Sequence, residues 1–362
     1  FRVEVMAAEP LIADPVAFDW DERGRLWVVE MADYPVGMDN EGKPGGRIRR
    51  VEDADGDGRY DRSTVFADGL PFPNGILTWR DGVIVTAAPE ILFLRDIDGD
   101  GTMDERIVLI SGLQEGNPQL RANGLRWGLD NGVHVASGGH RGNYGTETTL
   151  TSNLTGKAIS TGGRDFRFRP DTGDVEPQSG PTQFGRNRDD YGRWFGTQNA
   201  NPLWHYVLPD QYLRRNPYFG AEQTLVQLVT PPSAPVYPAS AGEKRYRHVE
   251  LAGHFTSACG GMIYRGGGLF SEGEIHAFAC EPFSNLVQHY RLQDAGVTFS
   301  AKRVPGLDGV DFFASADPWC RPVMVRDGPD GALWIADMYR AMIEHPQFLP
   351  PEGKQEMLPR HR

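Results

Sequence analysis

The chain has 362 residues with 37 Lys and Arg against 49 Asp and Glu, a net charge of −12. With that balance and no basic stripe, nothing would neutralise nucleic-acid phosphates over a wide face, so a nucleic-acid partner is excluded. No apolar run approaches bilayer length, so no transmembrane segment is expected, and 44 Gly with 27 Pro beside 39% hydrophobic residues describe a globular, turn-rich protein.

Taken from the N-terminus, one unit recurs: a glycine, then within one or two residues an alternating apolar strand. It stands at Gly24 (FDWDERGRLWVVE), Gly82 (TWRDGVIVTA), Gly132 (GLDNGVHVAS), Gly192 (DDYGRWFGTQ), Gly273 (SEGEIHAFAC) and Gly331 (GPDGALWIAD). The intervals of 58, 50, 60, 81 and 58 residues are those of short-stranded blades. The expected fold is therefore all-β, a single six-bladed β-propeller over residues 1–362. A two-sheet sandwich repeat is the alternative. The longest interval holds LVTPPSAPVYPASAGEK, Leu228 to Lys244, which cannot continue a central strand. It reads as an excursion, about residues 206–250, over one face. Helical patterning is confined to stretches near Gln211 to Asn216 and Tyr339 to His345.

Between the first strand units lie two acidic loops, DADGDGRYD (Asp53 to Asp61) and DIDGDGTMD (Asp96 to Asp104). Carboxylates at loop positions 1, 3, 5 and 9 around a turn glycine can converge on one hard cation, so the spacing predicts calcium. The ligands would be Asp53, Asp55, Asp57 and Asp61 with the carbonyl of Arg59. In the second loop they would be Asp96, Asp98, Asp100 and Asp104 with the carbonyl of Thr102. Position 12, a bidentate Glu in helix–loop–helix sensors, is Thr64 or Ile107 here, and STVF and RIVL after the loops read as strands. Solvated acidic turns without metal are the alternative. Loops lacking that Glu bind weakly and fill where calcium is millimolar, which points to the periplasm or the exterior.

Polar groups concentrate in four further segments: SGGHRGNYG from Ser137, QFGRNRDDYGRWFGTQNANPLWH from Gln183, GHFTSACGG from Gly253 and DPWCRPV from Asp317. In a propeller such segments reach the axis. They supply His205 and His254 as candidate bases for removing a hydroxyl proton, with Arg186 beside them. Arg141 and Arg321 are candidates for gripping carboxylates on a substrate or cofactor, since an arginine fork fits a carboxylate, and Asn187 is a further polar candidate on the axis. For each, satisfying buried carbonyls between blades is the competing role. Trp127, Trp204 and Trp319 are candidates for lining a pocket. Cys259 and Cys280 fall opposite one another if CGGMIYRGGGLFSEGEIHAFAC folds as a hairpin about Leu269 and Phe270, which also sets Ile263 opposite His276 and predicts a disulfide. A G-x-S-x-G elbow, a phosphate loop, a Cys-x-x-Cys-His haem site and zinc-ligand spacing are all missing from the sequence.

The stretches FRVEVMAAEPLIADPVAFDWDERGRLWVVEMADYP, NGLRWGLDNGVHVASG, HFTSACGGMIYRG and RPVMVRDGPDGALWIADMYRAMIEHPQFLP resemble the membrane-bound dehydrogenase propeller family of planctomycetes and verrucomicrobia. That family is similar to soluble quinoprotein sugar dehydrogenases. The resemblance implies a quinone-dependent oxidoreductase acting on sugars or other alcohols, with pyrroloquinoline quinone and calcium as cofactors and a separate c-type cytochrome as acceptor. Where the quinoprotein pattern carries its base histidine, this chain reads QLRANG, Gln119 to Gly124. The base would then be His205 or His254 from another blade, with Arg141, Arg186 and Asn187 on the quinone carboxylates. The paired acidic loops are extra to that pattern, which makes them scaffold. The competing function is a non-catalytic, calcium-stabilised propeller that binds glycans or proteins in an envelope assembly.

Overall fold

The structure is a computed structural model that describes residues 1–139, 148–216, 218, 220, 224–242, 244–246 and 249–357. It is built from antiparallel sheets laid down in chain order. The first holds β1 (Pro15–Trp20), β2 (Leu26–Glu30), β3 (Gly46–Glu52) and β4 (Arg62–Leu70). The second begins with β5 (Gly75–Trp79), β6 (Gly82–Ala87), β7 (Glu90–Arg95) and β8 (Glu105–Ser111). The chain then starts a third sheet with β9 (Asn123–Trp127) and β10 (Val133–Ala136). It returns to widen the second with β11 (Thr149–Ser152) and β12 (Ala158–Ser160), and completes the third with β13 (Phe166–Phe168) and β14 (Val175–Pro177). A fourth sheet comprises β15 (Arg186–Arg188), β16 (Trp194–Gln198), β17 (Asn201–His205) and β18 (Val226–Gln227). The fifth comprises β19 (Cys259–Ile263), β20 (Ile275–Glu281), β21 (Leu286–Ala295), β22 (Thr298–Arg303) and β23 (Phe313–Ala314). The last pairs β24 (Pro322–Asp327) with β25 (Leu333–Asp337).

The first strands β1, β5, β9, β15, β19 and β24 stand side by side in that order, and β24 returns to β1. This closed ring is a propeller arrangement, which leaves each sheet edge short. Every recurring glycine found in the sequence leads into the second strand of a sheet, β2, β6, β10, β16, β20 or β25. The turn before that strand is held by an aspartate in four of them. Asp21, for instance, accepts the N–H groups of Arg23 and Arg25 and the indole N–H of Trp27. Asp130, Asp189 and Asp330 cap their turns in the same way.

Apolar faces of neighbouring sheets supply the core. Val28, Ile48 and Phe66 of the first sheet pack with Ile76, Val83 and Leu92 of the second. Each buried aliphatic side chain of this kind contributes roughly 1.5–3 kcal/mol. Trp27, Trp194 and Trp334 act as packing residues, as their place on the repeat implies: Trp27 meets Phe66 edge-on, Trp194 stacks on His134 and Trp334 meets Trp20.

Three local expectations change. The stretch Tyr339 to His345 is not helical. A turn of 3-10 helix follows at Pro346–Phe348 and a short helix at Pro351–Met357, each opened by a proline whose missing N–H costs nothing at a helix start. The Pro-rich excursion, not among these changes, buries Leu228, Val229, Ala234 and Val236 against the fifth sheet. In the β19–β20 hairpin Cys259 does face Cys280, but Ile263 faces Ala277 and not His276, because a bulge between Cys259 and Met262 shifts the register. The expected disulfide is absent: Cys259, Cys280 and Cys320 are free, buried thiols.

Candidate functional site

The ring of first strands encloses a cavity of about 580 Å³. All six strands reach it, and so do the loops that lead into them. Glycines let the strands close up at this level. A Cβ on Gly124 would meet the backbone of Gly185 and Arg186 at 2.9 Å, and one on Gly260 would meet Met324 Cα at 2.8 Å. Both glycines also adopt a positive φ, which a side chain would strain. The amides on the wall are engaged in holding neighbouring strands together. Asn123 donates to the carbonyls of Arg121 and Gln183 and accepts from Gly185 N–H. The rest of the lining is largely apolar, including Val16, Ile76, Leu125, Val323 and Met324.

Three arginines on or beside the first strands reach this cavity, and they differ. Arg321 is fully buried and donates to the carbonyls of Arg340, Pro282 and Ala341. It ties together backbone that would otherwise be unsatisfied. Arg186 is 2% exposed. Its Nη1 bonds Asp165 and the carbonyl of Ser179, while its guanidinium lies over the rings of Tyr206 and Trp194. Its Nε has no partner among the described residues. Arg126, on β9, donates only to the adjacent carbonyl of Leu125, and it forms no ion pair among the described residues. Burial, reinforced by Arg326, lowers its pKa to about 9 against the pull of Asp19 and Asp327. Donors without acceptors in a low-dielectric cavity are the pattern of an anion site.

The histidines go elsewhere. His205 ends β17 between the rings of Phe195 and Phe299, and its Nδ1 bonds the hydroxyl of Thr298. It fills space between the fourth and fifth sheets, where burial lowers its pKa to about 4. His254 sits in the excursion's return, its Nδ1 on the carbonyl of Ala252 and its backbone bridged to Pro235. Neither lines the cavity, and no other histidine does among the described residues. Asn187 is on β15, but strand alternation turns it away from the wall that Arg186 lines. Arg141 lies outside the described residues. Trp127, Trp204 and Trp319 do not reach the cavity; Trp204 is fully buried.

What the sequence did not single out is the mouth. Lys244, Arg245 and Tyr246 from the excursion and Glu344 from the C-terminal segment line it, with Arg245 over the ring of Phe283. Behind them Glu281, at the end of β20, is fully buried and accepts the N–H groups of Ser257 and Thr256. The glycines PNG, ANG, QFG and CGG at or just ahead of first strands were the available signal for the cavity.

The acidic loops occupy equivalent positions, joining third to fourth strand in the first and second sheets. In one, oxygens of Asp53, Asp55 and Asp57 lie within 4.8 Å of one another; in the other, those of Asp96, Asp98 and Asp104 do. Asp61 instead accepts from Ala54 N–H, and Asp100 from Thr102 N–H and hydroxyl. Three convergent carboxylates on a tight turn fit a hard cation. The loops also fasten sheets: Tyr60 donates to the carbonyl of Gly24, Met103 N–H to the carbonyl of Phe66, and Arg50 on β3 stands 3.6 Å from Asp96.

The model of one protein family, Domain of unknown function (DUF7133), matches residues 1–362. No curated protein matches the chain. Among solved structures it is similar to an oxidoreductase described as a glucose dehydrogenase from Thermus thermophilus. That match has 15% identity and a TM-score of 0.51 and covers 90% of this chain and 91% of that one. It is also similar to the PQQ-bound aldose sugar dehydrogenase of Streptomyces coelicolor (15% identity, 91% and 89% covered, TM-score 0.43). The PQQ domain of pyranose dehydrogenase from Coprinopsis cinerea is a further match (14%, 91% and 92%, TM-score 0.46). At these identities the likeness is one of fold. No helix among the described residues is long and apolar enough to cross a membrane.

Proposed function

We propose that this chain, which belongs to the DUF7133 family, is a quinone-dependent oxidoreductase of the periplasm or cell exterior, a six-bladed propeller that oxidises a sugar or other alcohol in its axial cavity. The observation that carries this reading is a cavity of about 580 Å³ lined by the Arg126 guanidinium, which among the described residues bonds only the carbonyl of Leu125 and has no ion-pair partner. That donor set fits the carboxylates of pyrroloquinoline quinone, a group that supplies a hydride acceptor when bound. Arg126 would anchor those carboxylates, with Arg186 held behind the wall by Asp165 and the carbonyl of Ser179. Lys244, Arg245 and Glu344 at the mouth would face an entering substrate, and the apolar lining would keep water from the reacting carbon. Electrons would leave to a separate c-type cytochrome. Calcium in the two acidic loops, with Arg59 and Thr102 adding carbonyl oxygens, would stiffen the first two sheets and take no part in the chemistry.

Protein reconstituted with the quinone and calcium should reduce an artificial dye when a sugar or polyol is supplied. Failure of every sugar and alcohol tried, with the quinone bound, favours the second reading, a propeller that binds glycans or proteins. One observation supports that reading: among the described residues no histidine reaches the cavity.

A further inference from the structure

Alcohol oxidation by hydride transfer needs a group to take the hydroxyl proton, and in this cavity the histidines expected to do so are elsewhere. Behind the wall stands a buried carboxyl. Glu281 stands at the junction of β20 and the turn of 3-10 helix Pro282–Ser284. It is buried directly behind Thr256 and Ser257, which line the cavity. Its Oε2 accepts Ser257 N–H at 2.8 Å and Thr256 N–H at 3.2 Å, and its Oε1 lies 3.5 Å from Thr256 Oγ1. That hydroxyl also accepts from Arg245 Nη1 at 3.0 Å. A threonine oxygen has two lone pairs and one hydrogen. With one lone pair on Arg245 and the hydrogen on Glu281, one lone pair remains for a bound hydroxyl.

We propose that Glu281 is the proton-accepting group of the cavity, reaching the substrate hydroxyl through Thr256 Oγ1. The claim rests on the oxidoreductase reading above. With a bound quinone as the acceptor that would take the C–H hydride, the hydroxyl proton would pass to Thr256 Oγ1 and the proton on that oxygen to Glu281 Oε1. The alcohol would become a carbonyl, its two electrons and one hydrogen being the equivalents a bound quinone can accept, and the Glu281 carboxylate would become a carboxylic acid.

The charged and titratable surroundings suit that role. Arg245 faces Glu281 from the excursion, Cys259 from β19, Cys280 from β20 and Tyr290 from β21. Burial outweighs Arg245 and the two N–H bonds and pushes the carboxyl up to about 8. A base of that strength sits near the optimum for proton transfer at neutral to mildly alkaline pH.

The test compares wild type, Glu281→Gln and Thr256→Val in two measurements, after thermal melting has shown each variant folded. The first is dye reduction by quinone- and calcium-loaded protein between about pH 6 and pH 10, a window set around a carboxyl poised for general-base work. The wild-type rate should climb as Glu281 ionises. Glu281→Gln should lose about 100-fold or more, the scale of a removed general base, together with that climb. The second, on protein without quinone, is the infrared band of the protonated carboxyl that Glu281→Gln removes. It should titrate over the same pH range and shift when methanol fills the cavity, and in Thr256→Val the methanol shift should vanish while the band persists. An unchanged rate and pH profile in Glu281→Gln overturns the proposal, and so does a band that methanol leaves unmoved. A wild type that binds quinone but never reduces dye refutes the oxidoreductase reading alone, and the infrared result then decides Glu281.

Discussion

Arg126 and Arg321 carry the same charge into the same cavity and should fail differently when removed. Arg321 satisfies three buried carbonyls, so Arg321→Ala should cost on the order of 3 kcal/mol in denaturant unfolding. Among the described residues Arg126 hydrogen-bonds only the carbonyl next to it, so Arg126→Ala should leave the unfolding midpoint nearly unchanged. His205 gives a pH signature. Its folded pKa is lowered to about 4 from a usual 6.5 by burial, so the unfolded chain takes up a proton that the folded one refuses. The stability involved is intact above pH 6.5 and drains away as pH falls toward 4. His205→Gln should flatten that acid limb by up to about 3 kcal/mol and leave dye reduction untouched. That Arg186 would lie beside the cavity was legible because its segment is dense in polar residues. Arg126 was hidden inside NGLRW, which reads as plain strand alternation. His205 was misread for a related reason: NPLWH looks like a polar approach to the axis, yet β17 is a third strand, and its alternation carries the imidazole between Phe195 and Phe299.

Among the connecting elements, the two acidic loops and the β19–β20 hairpin allow direct checks. With three carboxylates convergent in each loop, a calcium chelator should lower the melting temperature by several degrees, as the loss of a bound ion does by mass action. Asp55→Ala should lower it even with calcium present. An unchanged melting point in chelator would remove the calcium assignment. In the hairpin, the facing of Cys259 and Cys280 followed from counting residues about the turn, but the bulge did not, because it depends on Gly260 adopting a positive φ against β24. Alkylation of denatured, unreduced protein should modify all three cysteines. Protection of two of them would show that the bond forms in solution.

Across the whole molecule, the six glycine-led units were readable because second strands such as β2, β6 and β20 are buried on both faces and need a tight turn before them. The cavity was less so, because residues from every sheet make it and only the glycines of PNG, ANG, QFG and CGG recur along its lining. Its mouth was less legible still, since Lys244, Arg245 and Glu344 are brought there by two segments that the repeat treats as irregular. Described residues of both segments line the cavity and give that part of its margin its charge. The proposed binding of a carboxylate-bearing quinone in this site is tested most directly by titrating wild type and Arg126→Ala with pyrroloquinoline quinone and calcium while following the cofactor's absorption. Saturable one-to-one binding is expected, weakened about 10- to 100-fold in Arg126→Ala, the loss of a charged hydrogen bond or two. Absence of saturable binding by the wild type, or equal binding by the variant, would contradict it.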